Sequence, residues 1–569
     1  MKLLALHCDY IKFKPLKKAL KKPEELSEER QKEITIQEPL VALVSVESSD
    51  NNKLVADLVK NIEDIATNVK AQNIVLYPYA HLSSNLGSPD LALEILEKAD
   101  KELSKKYKVW RAPFGYYKEF ELKCKGHPLA ESSRTIGSPS GKPVEDTGED
   151  FDYKKALRSI TRSNLDRSKL KDYDHRILGQ ELDLFSFNEA APGMAFWHHN
   201  GWIIYNELIA LWREMQNKYD YKEISTPQIM DNKLWKISGH WQKYKENIFL
   251  TEYEKRGFAV KPMNCPGGVL VFKSKPRSYK ELPLKLSELG VVHRQELSGV
   301  LAGLFRLIRF TQDDAHLFCM EEQLEQQISE VIEMIDHIYT KVFNFSYHAE
   351  LSTRPEKYLG ELKDWNKAEK ILETVLKKKK MNYKLNKGDG AFYGPKIDIH
   401  VKDSLDRTWQ LATIQLDFQM PERFDVNYTG ADNKEHRAVM LHRVIYGSLE
   451  RFIGILLEHY RGRLPTWLSP VQIRIINFTD RNTKAVEKTL KELKELVPNL
   501  RIESDVRSTT VNEKVRDAEL QKIPYIIVIG DKEEEAKTLA VRVHGDKKIQ
   551  NYKLKEFADK LKDEIEKRK

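Results

Sequence analysis

Between Gly137 and Lys171 the chain reads Gly-Ser-Pro-Ser-Gly-Lys-Pro143, then places Glu145, Asp146, Glu149, Asp150 and Asp152 within eight residues, then carries seven basic residues against the single Asp166 from Lys154 to Lys171. Glycine and proline interrupt helix and strand alike, and runs of one charge sign cannot be buried. No hydrophobic core continues through such a segment. The residues before it and after it must each fold around a core of their own. The segment from 145 to 172 itself reads as a solvated linker helix, with contacts to nucleic-acid phosphates as the second use of its basic half.

On the near side, residues 1–144 alternate strand and helix signals. Lys2–Phe13, Pro39–Glu47 and Asn73–Tyr79 read as strands, and Val109–Cys124 as strand material. Asn51–Ala71 repeats Leu54, Leu58, Ile62, Ile65 and Val69 at helical spacing, and Pro89–Tyr107 is a second helix. On the far side, residues 173–465 are mixed α/β, rich in aromatics and free of internal repeats. Pro465 and Pro470 bracket a second hinge. Residues 466–569 then run strand Val471–Phe478, helix Thr483–Leu496, strand Arg501–Val506, helix Val511–Leu520, strand Tyr525–Ile529 and a charged helix Lys553–Lys567. That rhythm predicts a small parallel-type sheet. Lys377–Lys380 reads as a solvated helix end.

Composition narrows the classes. A chain of 569 residues corresponds to about four folding units at roughly 150 residues each. With 41% hydrophobic residues it has the material for packed cores. Lysine plus arginine exceeds aspartate plus glutamate by 94 − 86 = +8, which permits a nucleic-acid partner without requiring one. Cys8, Cys124, Cys265 and Cys319 contain no Cys-x-x-Cys pair, so neither a disulfide scaffold nor a local zinc finger is expected. The apolar run after Met1 ends at Asp9, too short for a signal peptide, and no stretch is long enough to span a bilayer. A cytoplasmic multidomain protein is the expectation.

The densest chemistry lies in His293-Arg-Gln-Glu-Leu-Ser-Gly-Val-Leu-Ala-Gly-Leu-Phe-Arg306, continuing through Phe310-Thr-Gln-Asp-Asp-Ala-His316. Two arginines separated by glycines suit a strand–loop–strand hairpin that grips an anion, because the guanidinium fork matches phosphate. Read alone, such a pair is as compatible with a structural role. Downstream, Tyr446-Gly-Ser-Leu-Glu-Arg451 opens a helix that carries a third arginine, and upstream Glu223-Ile-Ser-Thr-Pro227 ends an extended segment. His316 and Cys319 could be read as a His-x-x-Cys ligand pair, but on a strand an offset of three residues puts them on opposite faces.

Taken in chain order, Glu223–Pro227, His293–His316 and Tyr446–Arg451 resemble motifs 1, 2 and 3 of class II aminoacyl-tRNA synthetases. Lys261-Pro-Met-Asn-Cys-Pro-Gly267, Phe310–His316, Tyr393-Gly-Pro-Lys-Ile-Asp398, Trp409-Gln410 and Thr413-Ile-Gln-Leu-Asp-Phe418 narrow the resemblance to threonyl-tRNA synthetases, from about Asp174 onward. It implies a multidomain α/β protein whose class II catalytic core is an antiparallel sheet, followed by an α/β anticodon-binding domain. It implies one Zn²⁺ on Cys265, His316 and His442, with an open position for the amino group and hydroxyl of threonine. It places Asp314 on that hydroxyl, with Gln312, Tyr393 and Gln415 lining the amino-acid site. Arg294 goes to the α-phosphate and carboxylate, Arg306 and Arg451 to the γ-phosphate, Glu296 to the adenine amino group, Phe310 to the adenine ring, and Gln410 near the nucleotide. ATP is expected with Mg²⁺, tRNA(Thr) and L-threonine as the other substrates, and a homodimer through motif 1 near Pro227. Two positions depart from the family pattern. Gly268 stands where histidine is usual, and Leu307-Ile308-Arg309 follows Arg306 where Val-Arg-Gly is commoner.

A pocket that selects a β-hydroxyl admits serine, because one methyl is worth only about 1–3 kcal/mol. A second, hydrolytic site is therefore required. His7-Cys-Asp-Tyr10, Tyr77-Pro-Tyr-Ala-His-Leu-Ser-Ser84, Arg111-Ala-Pro-Phe-Gly-Tyr-Tyr-Lys118 and Lys125-Gly-His-Pro-Leu-Ala-Glu131 resemble the archaeal editing domain, itself similar to D-aminoacyl-tRNA deacylases. The resemblance points to His81, Tyr117, Lys118 and Glu131 as editing residues, and to Glu533 and Arg542 as anticodon contacts. Two rivals remain at this stage: another class IIa synthetase such as the prolyl enzyme, and a catalytically inactive paralogue that binds RNA as a regulator.

Overall fold

The computed structural model describes residues 1–20, 23–48, 50–83, 85–127, 129–136, 157, 165, 167–546 and 548–568. The Gly137–Pro143 stretch, the acidic run and most of the basic run lie outside them. The chain forms two compact units, Met1–Phe151 and Asp152–Lys569.

In the first unit a single long strand, Lys2–Lys18, organises a seven-stranded sheet. Its first half pairs with Pro39–Ser45 and Glu131–Thr135, its second half with Ile34–Gln37 and Tyr116–Cys124. Pro39–Ser45, Asn73–Pro78 and Lys108–Arg111 then run parallel. All seven residues of Pro39–Ser45 are buried, as a strand covered on both faces requires. Helices Val55–Val69 and Pro89–Leu103 supply Leu58, Ile62, Ile65, Ile95, Leu96 and Ala99 to one face. Val109–Cys124 is two strands rather than one, broken where Gly115 takes φ of +80°. Ile34–Gln37 and Glu131–Thr135 were not expected as strands. Both are short, and Glu131–Thr135 has no hydrophobic residue to mark it.

In the second unit an eight-stranded sheet runs in the order Lys222–Glu223, Leu284–His293, Arg309–Cys319, Val439–Val444, Thr408–Asp417, Lys396–Lys402, Ser346–Ser352, Tyr383–Asn386. It is antiparallel except at its two edge pairs. Helices His199–Lys218, Leu324–Asp336, Leu362–Lys378 and Leu449–His459 contribute to the core against one face. Strand alternation sends Ala315, Leu317 and Cys319 into that core and Phe310, Gln312, Asp314 and His316 to a cavity on the other. His316 and Cys319 are thus separated by the sheet itself.

The C-terminal sheet corrects the expected parallel arrangement. Ile502–Asp505, Ile473–Asn477 and Tyr525–Ile529 are parallel, but Thr538–Val543 and Ile549–Lys553 add an antiparallel hairpin. Ile549–Lys553 (Ile-Gln-Asn-Tyr-Lys) carries little apolar signal, and Thr538–Val543 (Thr-Leu-Ala-Val-Arg-Val) is a short apolar run whose pairing depends on that partner. The short helix Asp531–Ala536 was likewise not foreseen.

One buried side chain ties the elements around the cavity together. His175 accepts a hydrogen bond at Nε2 from the Leu304 backbone N–H (2.9 Å) and meets Glu458 Oε1 at Nδ1 (2.7 Å). Since Nε2 accepts, Nδ1 carries the proton and donates. Glu458 also takes the His175 backbone N–H (3.0 Å) and an ion pair from Arg407 (2.5 Å). The loop that ends at Arg306 is thereby fastened to the helix that carries Arg451. Replacing His175 with alanine leaves the Leu304 N–H and part of Glu458 unpaired, a cost of about 2–4 kcal/mol. A fall of that size in stability by urea denaturation, against an unchanged far-UV spectrum, is the expected outcome. A shift below about 0.5 kcal/mol would show that the histidine fastens nothing.

Candidate active site

A cavity of about 960 Å³ opens on the polar face of the eight-stranded sheet. Cys265, Arg294, Glu296, Arg306, Phe310, Gln312, Asp314, His316, Tyr393, Gln410, Gln415, His442 and Arg451 all line it. Every residue that the sequence assigned to amino-acid activation therefore reaches one space, although they come from three strands, two helices and the loops between them.

The hairpin geometry places the first two arginines. Leu284–His293 and Arg309–Cys319 pair in register from Leu284 opposite Phe318 to His293 opposite Arg309. Arg294 follows the first strand directly. It donates from Nε to the Pro262 carbonyl (3.1 Å) and lies over the Phe310 ring, 5.1 Å from its centre. Arg306, in the connecting loop, donates to Glu296 Oε2 from Nε (3.0 Å) and Nη2 (2.8 Å). The two residues given separate roles on ATP are thus paired with each other here. Arg451 stands in the first turn of Leu449–His459, where Ser448 caps the helix by accepting the Arg451 N–H (3.2 Å). Its guanidinium lies 5.6 Å from the Trp409 ring centre, and its buried Nε has no partner among the described residues. Burial, then the nearby Arg306, opposes the charge on Arg451. Arg294 and Arg451, which have no carboxylate partner among the described residues, form with Arg306 a cradle for an anion.

At the other end of the cavity Cys265, His316 and His442 bring one ligand atom each within 4.8 Å of one another, all three side chains buried. His316 and His442 are directly opposite on adjacent strands, their rings 5.1 Å apart and edge to face. Cys265 begins the helix Cys265–Phe272. His442 Nε2 is paired with Asp417 Oδ2 (2.9 Å), which fixes the ring and leaves Nδ1 as the free lone pair. His316 Nε2 is buried and has no hydrogen-bond partner among the described residues. An orphaned imidazole nitrogen beside a buried thiol is costly as it stands. A soft divalent ion bound by Cys/His/His would satisfy both, and three protein ligands leave a fourth position open. The residues present fit zinc.

Asp314 is buried beside this cluster and accepts from Asn264 Nδ2 (3.2 Å), and burial raises its pKa. Tyr393 donates its hydroxyl to Gln415, and Gln410 donates from Nε2 to Asp398 Oδ1 (2.7 Å). The orienting role of Asp417 was not read from sequence, nor was that of Lys396, which lines the cavity and pairs with Asp398 (2.8 Å). Both stand in segments that the sequence marked, but their partners depend on strand register.

A second cavity, of about 450 Å³, lies in the first unit among Tyr77, Tyr79, His81, Tyr116, Tyr117 and Lys118. Lys118 Nζ donates to the backbone carbonyls of Pro113 (2.9 Å) and Tyr116 (3.1 Å) and sits 5.2 Å from the Tyr77 ring centre. Of the four proposed editing residues, His81, Tyr117 and Lys118 share this cavity. Glu131 does not line it, being exposed on Glu131–Thr135 opposite Leu6.

Comparison with known proteins follows the same division. Residues 1–136 match the archaea-specific editing domain of threonyl-tRNA synthetase, 249–460 the tRNA synthetase class II core domain (G, H, P, S and T), and 472–564 an anticodon binding domain. The RNA binding domain of threonyl-tRNA synthetase from Cryptosporidium parvum Iowa II is 39% identical, with a TM-score of 0.66, covering 69% of this chain and 98% of that one. The chain belongs to the threonyl-tRNA synthetase family. Threonine–tRNA ligase of Clostridium botulinum strain Langeland is 53% identical over 398 residues, which is 69% of this chain and 62% of that protein. The chain therefore spans less than two thirds of the length of that curated relative. Prolyl-tRNA synthetase of C. parvum, at 15% identity and a TM-score of 0.55 over 72% of this chain and 78% of that one, shares the fold alone.

Within the family the two departures find physical places. A Cβ on Gly268 would lie 3.1 Å from His316 Nδ1, so glycine here lets the imidazole rest against the helix that begins at Cys265. Arg309 does not line the cavity. It reaches the buried Glu450 (3.5 Å), which also accepts the Thr311 N–H (2.8 Å). The anticodon candidates both have partners already: Glu533 accepts the Gly530 N–H (3.0 Å) as a helix cap, and Arg542 pairs with Glu519 (3.2 Å).

Burial pulls the Lys118 ammonium down to about 8, only partly opposed by Glu24. Below pH 8 the side chain is protonated and unreactive, and above it the free amine predominates, whereas an ordinary lysine stays charged to about 10.4. Acylation of Lys118 by an amine reagent, followed by peptide mass spectrometry, should reach half its limiting rate near pH 8. A profile that still rises at pH 10 would mean that the cavity does not desolvate it.

Proposed function

We propose that the chain is a threonine–tRNA ligase that activates L-threonine with ATP, transfers it to the 3′-hydroxyl of tRNA(Thr), and hydrolyses mischarged Ser-tRNA(Thr). The observation that carries this reading is the buried Cys265/His316/His442 cluster opening on the same cavity as Arg294, Arg306 and Arg451. An inactive paralogue would have no need of Arg294 and Arg451 as buried cations without carboxylate partners among the described residues. A prolyl enzyme would have no need of a metal cluster in its amino-acid pocket.

We divide the chain into an editing domain (1–144), a linker (145–172), a catalytic domain (173–465) and an anticodon-binding domain (466–569). ATP enters as its Mg²⁺ complex. We assign a homodimer through the catalytic domain, near Pro227, and a cytoplasmic location with its tRNA substrate.

The chemistry is attack of the threonine carboxylate on the α-phosphorus, with pyrophosphate leaving. Charge grows on phosphoryl oxygens, so fixed cations do most of the work. Arg294 neutralises the carboxylate and α-phosphate, and its stacked partner Phe310 takes the adenine ring. Arg451 and Arg306 hold the outer phosphates. As Arg306 turns to phosphate it releases Glu296, whose carboxylate is then free for the adenine amino group. Asp314 accepts from the substrate hydroxyl, while Gln312, Tyr393 and Gln415 close the amino-acid pocket and Gln410 flanks the nucleotide. Zinc bound by Cys265, His316 and His442 would supply coordination to both the amino group and the β-hydroxyl of the substrate, and an amino acid lacking the hydroxyl would leave one of those bonds unmade. The resulting adenylate is attacked by the 3′-hydroxyl of the terminal adenosine, and AMP leaves.

Serine passes this filter, so its removal falls to the N-terminal cavity. There Lys118, with His81 and Tyr117, would orient the seryl ester for attack by water. Glu131 stands outside that cavity and would act from its rim. Glu533 and Arg542 are proposed as anticodon contacts once their present partners are exchanged.

Two variants of the full chain should separate the two sites. His316→Ala should lose the zinc of the Cys265 cluster and threonine-dependent ATP–pyrophosphate exchange, by at least about 100-fold, while clearing preformed Ser-tRNA(Thr) at the normal rate. Lys118→Met keeps the apolar stem without the charge, and should exchange normally while Ser-tRNA(Thr) persists. If Lys118→Met deacylates as fast as the unmodified chain, or His316→Ala keeps both zinc and exchange, the corresponding assignment is wrong.

A further inference from the structure

Two strands away from the metal-binding cluster, the same sheet carries another set of ligand-type side chains. His348 on Ser346–Ser352 stands directly opposite His400 on Lys396–Lys402, and Glu350 lies two residues further along the first strand, on the same face. The intervening Ala349, Leu351, Ile399 and Val401 point into the core, so the alternation holds all three polar side chains on one side. The two imidazoles are nearly parallel (14°) with centres 5.2 Å apart.

We propose that His348, Glu350 and His400 form a second metal site, which takes one Zn²⁺ ion outside the catalytic cavity. The spacing carries the argument. Glu350 Oε1 lies 3.7 Å from His348 Nε2, and Glu350 Oε2 lies 3.6 Å from His400 Nε2. Both separations exceed hydrogen-bond range. Bonds of about 2.0–2.2 Å arranged tetrahedrally set neighbouring ligand atoms roughly 3.3–3.5 Å apart, within a few tenths of an ångström of those found. One ligand atom from each residue lies within 4.8 Å of the others. Neither imidazole makes a hydrogen bond to a described residue, and each is one third exposed or less (33% and 19%). Asn386 Nδ2 donates to Glu350 Oε2 (3.2 Å), holding the carboxylate in place as an outer partner of a metal ligand does.

Two imidazole nitrogens and a carboxylate whose two oxygens each face one histidine suit zinc over magnesium or calcium, which take oxygen donors. None of the three residues lines the catalytic cavity, yet His400 is paired across the sheet with Gln410, which does. An ion here would clamp Ser346–Ser352 to Lys396–Lys402, the strand from which Asp398 accepts hydrogen bonds from Gln410 (2.7 Å) and Thr413 (2.9 Å) on its other neighbour.

The test is metal stoichiometry on the full chain, stripped with chelator and dialysed against buffered Zn²⁺. Two ions per chain are expected for the unmodified protein, one for His348→Asn/His400→Asn, one for His316→Ala, and none for the combination. Glu350→Gln should weaken the second ion at least tenfold. Cobalt substitution distinguishes the sites, since only the Cys265 site can show a thiolate charge-transfer band. The double histidine variant should also lose the part of the zinc-induced rise in Tm that His316→Ala retains. The proposal is overturned if the double histidine variant binds as many ions as the unmodified chain, or if Glu350→Gln leaves the affinity unchanged, which would reduce the site to two surface imidazoles.

Discussion

Neighbouring side chains on a strand face opposite ways, and in Arg309–Cys319 that alternation is enforced from both sides. Ala315, Leu317 and Cys319 complete an apolar core, while Phe310, Gln312, Asp314 and His316 face the cavity. A slip of one residue would drive Asp314 and His316 into hydrocarbon, at several kcal/mol each. The register is therefore fixed by hydrophobic burial on the far face, and the near face inherits its geometry. Pairing with Leu284–His293 brings Arg294 and Arg306 to the two ends of one hairpin connection. Pairing with Val439–Val444 puts His442 opposite His316 and delivers the chain to Ser448 and the helix of Arg451.

The same core supports unfavourable electrostatics. Burial opposes the charge on Arg294 and Arg451, and neither has a carboxylate salt-bridge partner among the described residues. Such groups reduce folding stability unless an anion arrives. A site that carries this strain before substrate binds has its dipoles and charges already arranged for the developing charge of phosphoryl transfer. The N-terminal cavity repeats the pattern on a smaller scale, with Lys118 held by two backbone carbonyls and an aromatic face.

How much of this was legible in the sequence varied with the signal. Thr483–Leu496, Val511–Leu520 and Tyr525–Ile529 have the bounds that periodicity gave them. The hairpin Thr538–Val543/Ile549–Lys553 escaped because each strand has one polar face and a neighbour only the fold supplies. The sequence could exclude His316 and Cys319 as joint ligands from strand geometry, yet spacing could not select Cys265, His316 and His442, which whole folding elements separate. Family resemblance picked them, and the structure brings them together. Asp417 and Lys396 went unread because their partners, His442 and Asp398, are set by cross-strand pairing. Glu131 was grouped with Lys118 by family resemblance, but lies on a different strand and does not line the cavity. The pairing of Arg306 with Glu296 was also invisible, since each matched a role on ATP by itself.

On the proposed function, one cavity joins an anion cradle to a pocket that selects a β-hydroxyl. Amino-acid-dependent ATP–pyrophosphate exchange by the full chain tests it most directly. Threonine and, more weakly, serine should support exchange, while valine and proline should give only background. Exchange with valine at a rate close to that with threonine would contradict the account, because shape alone would then be choosing the substrate.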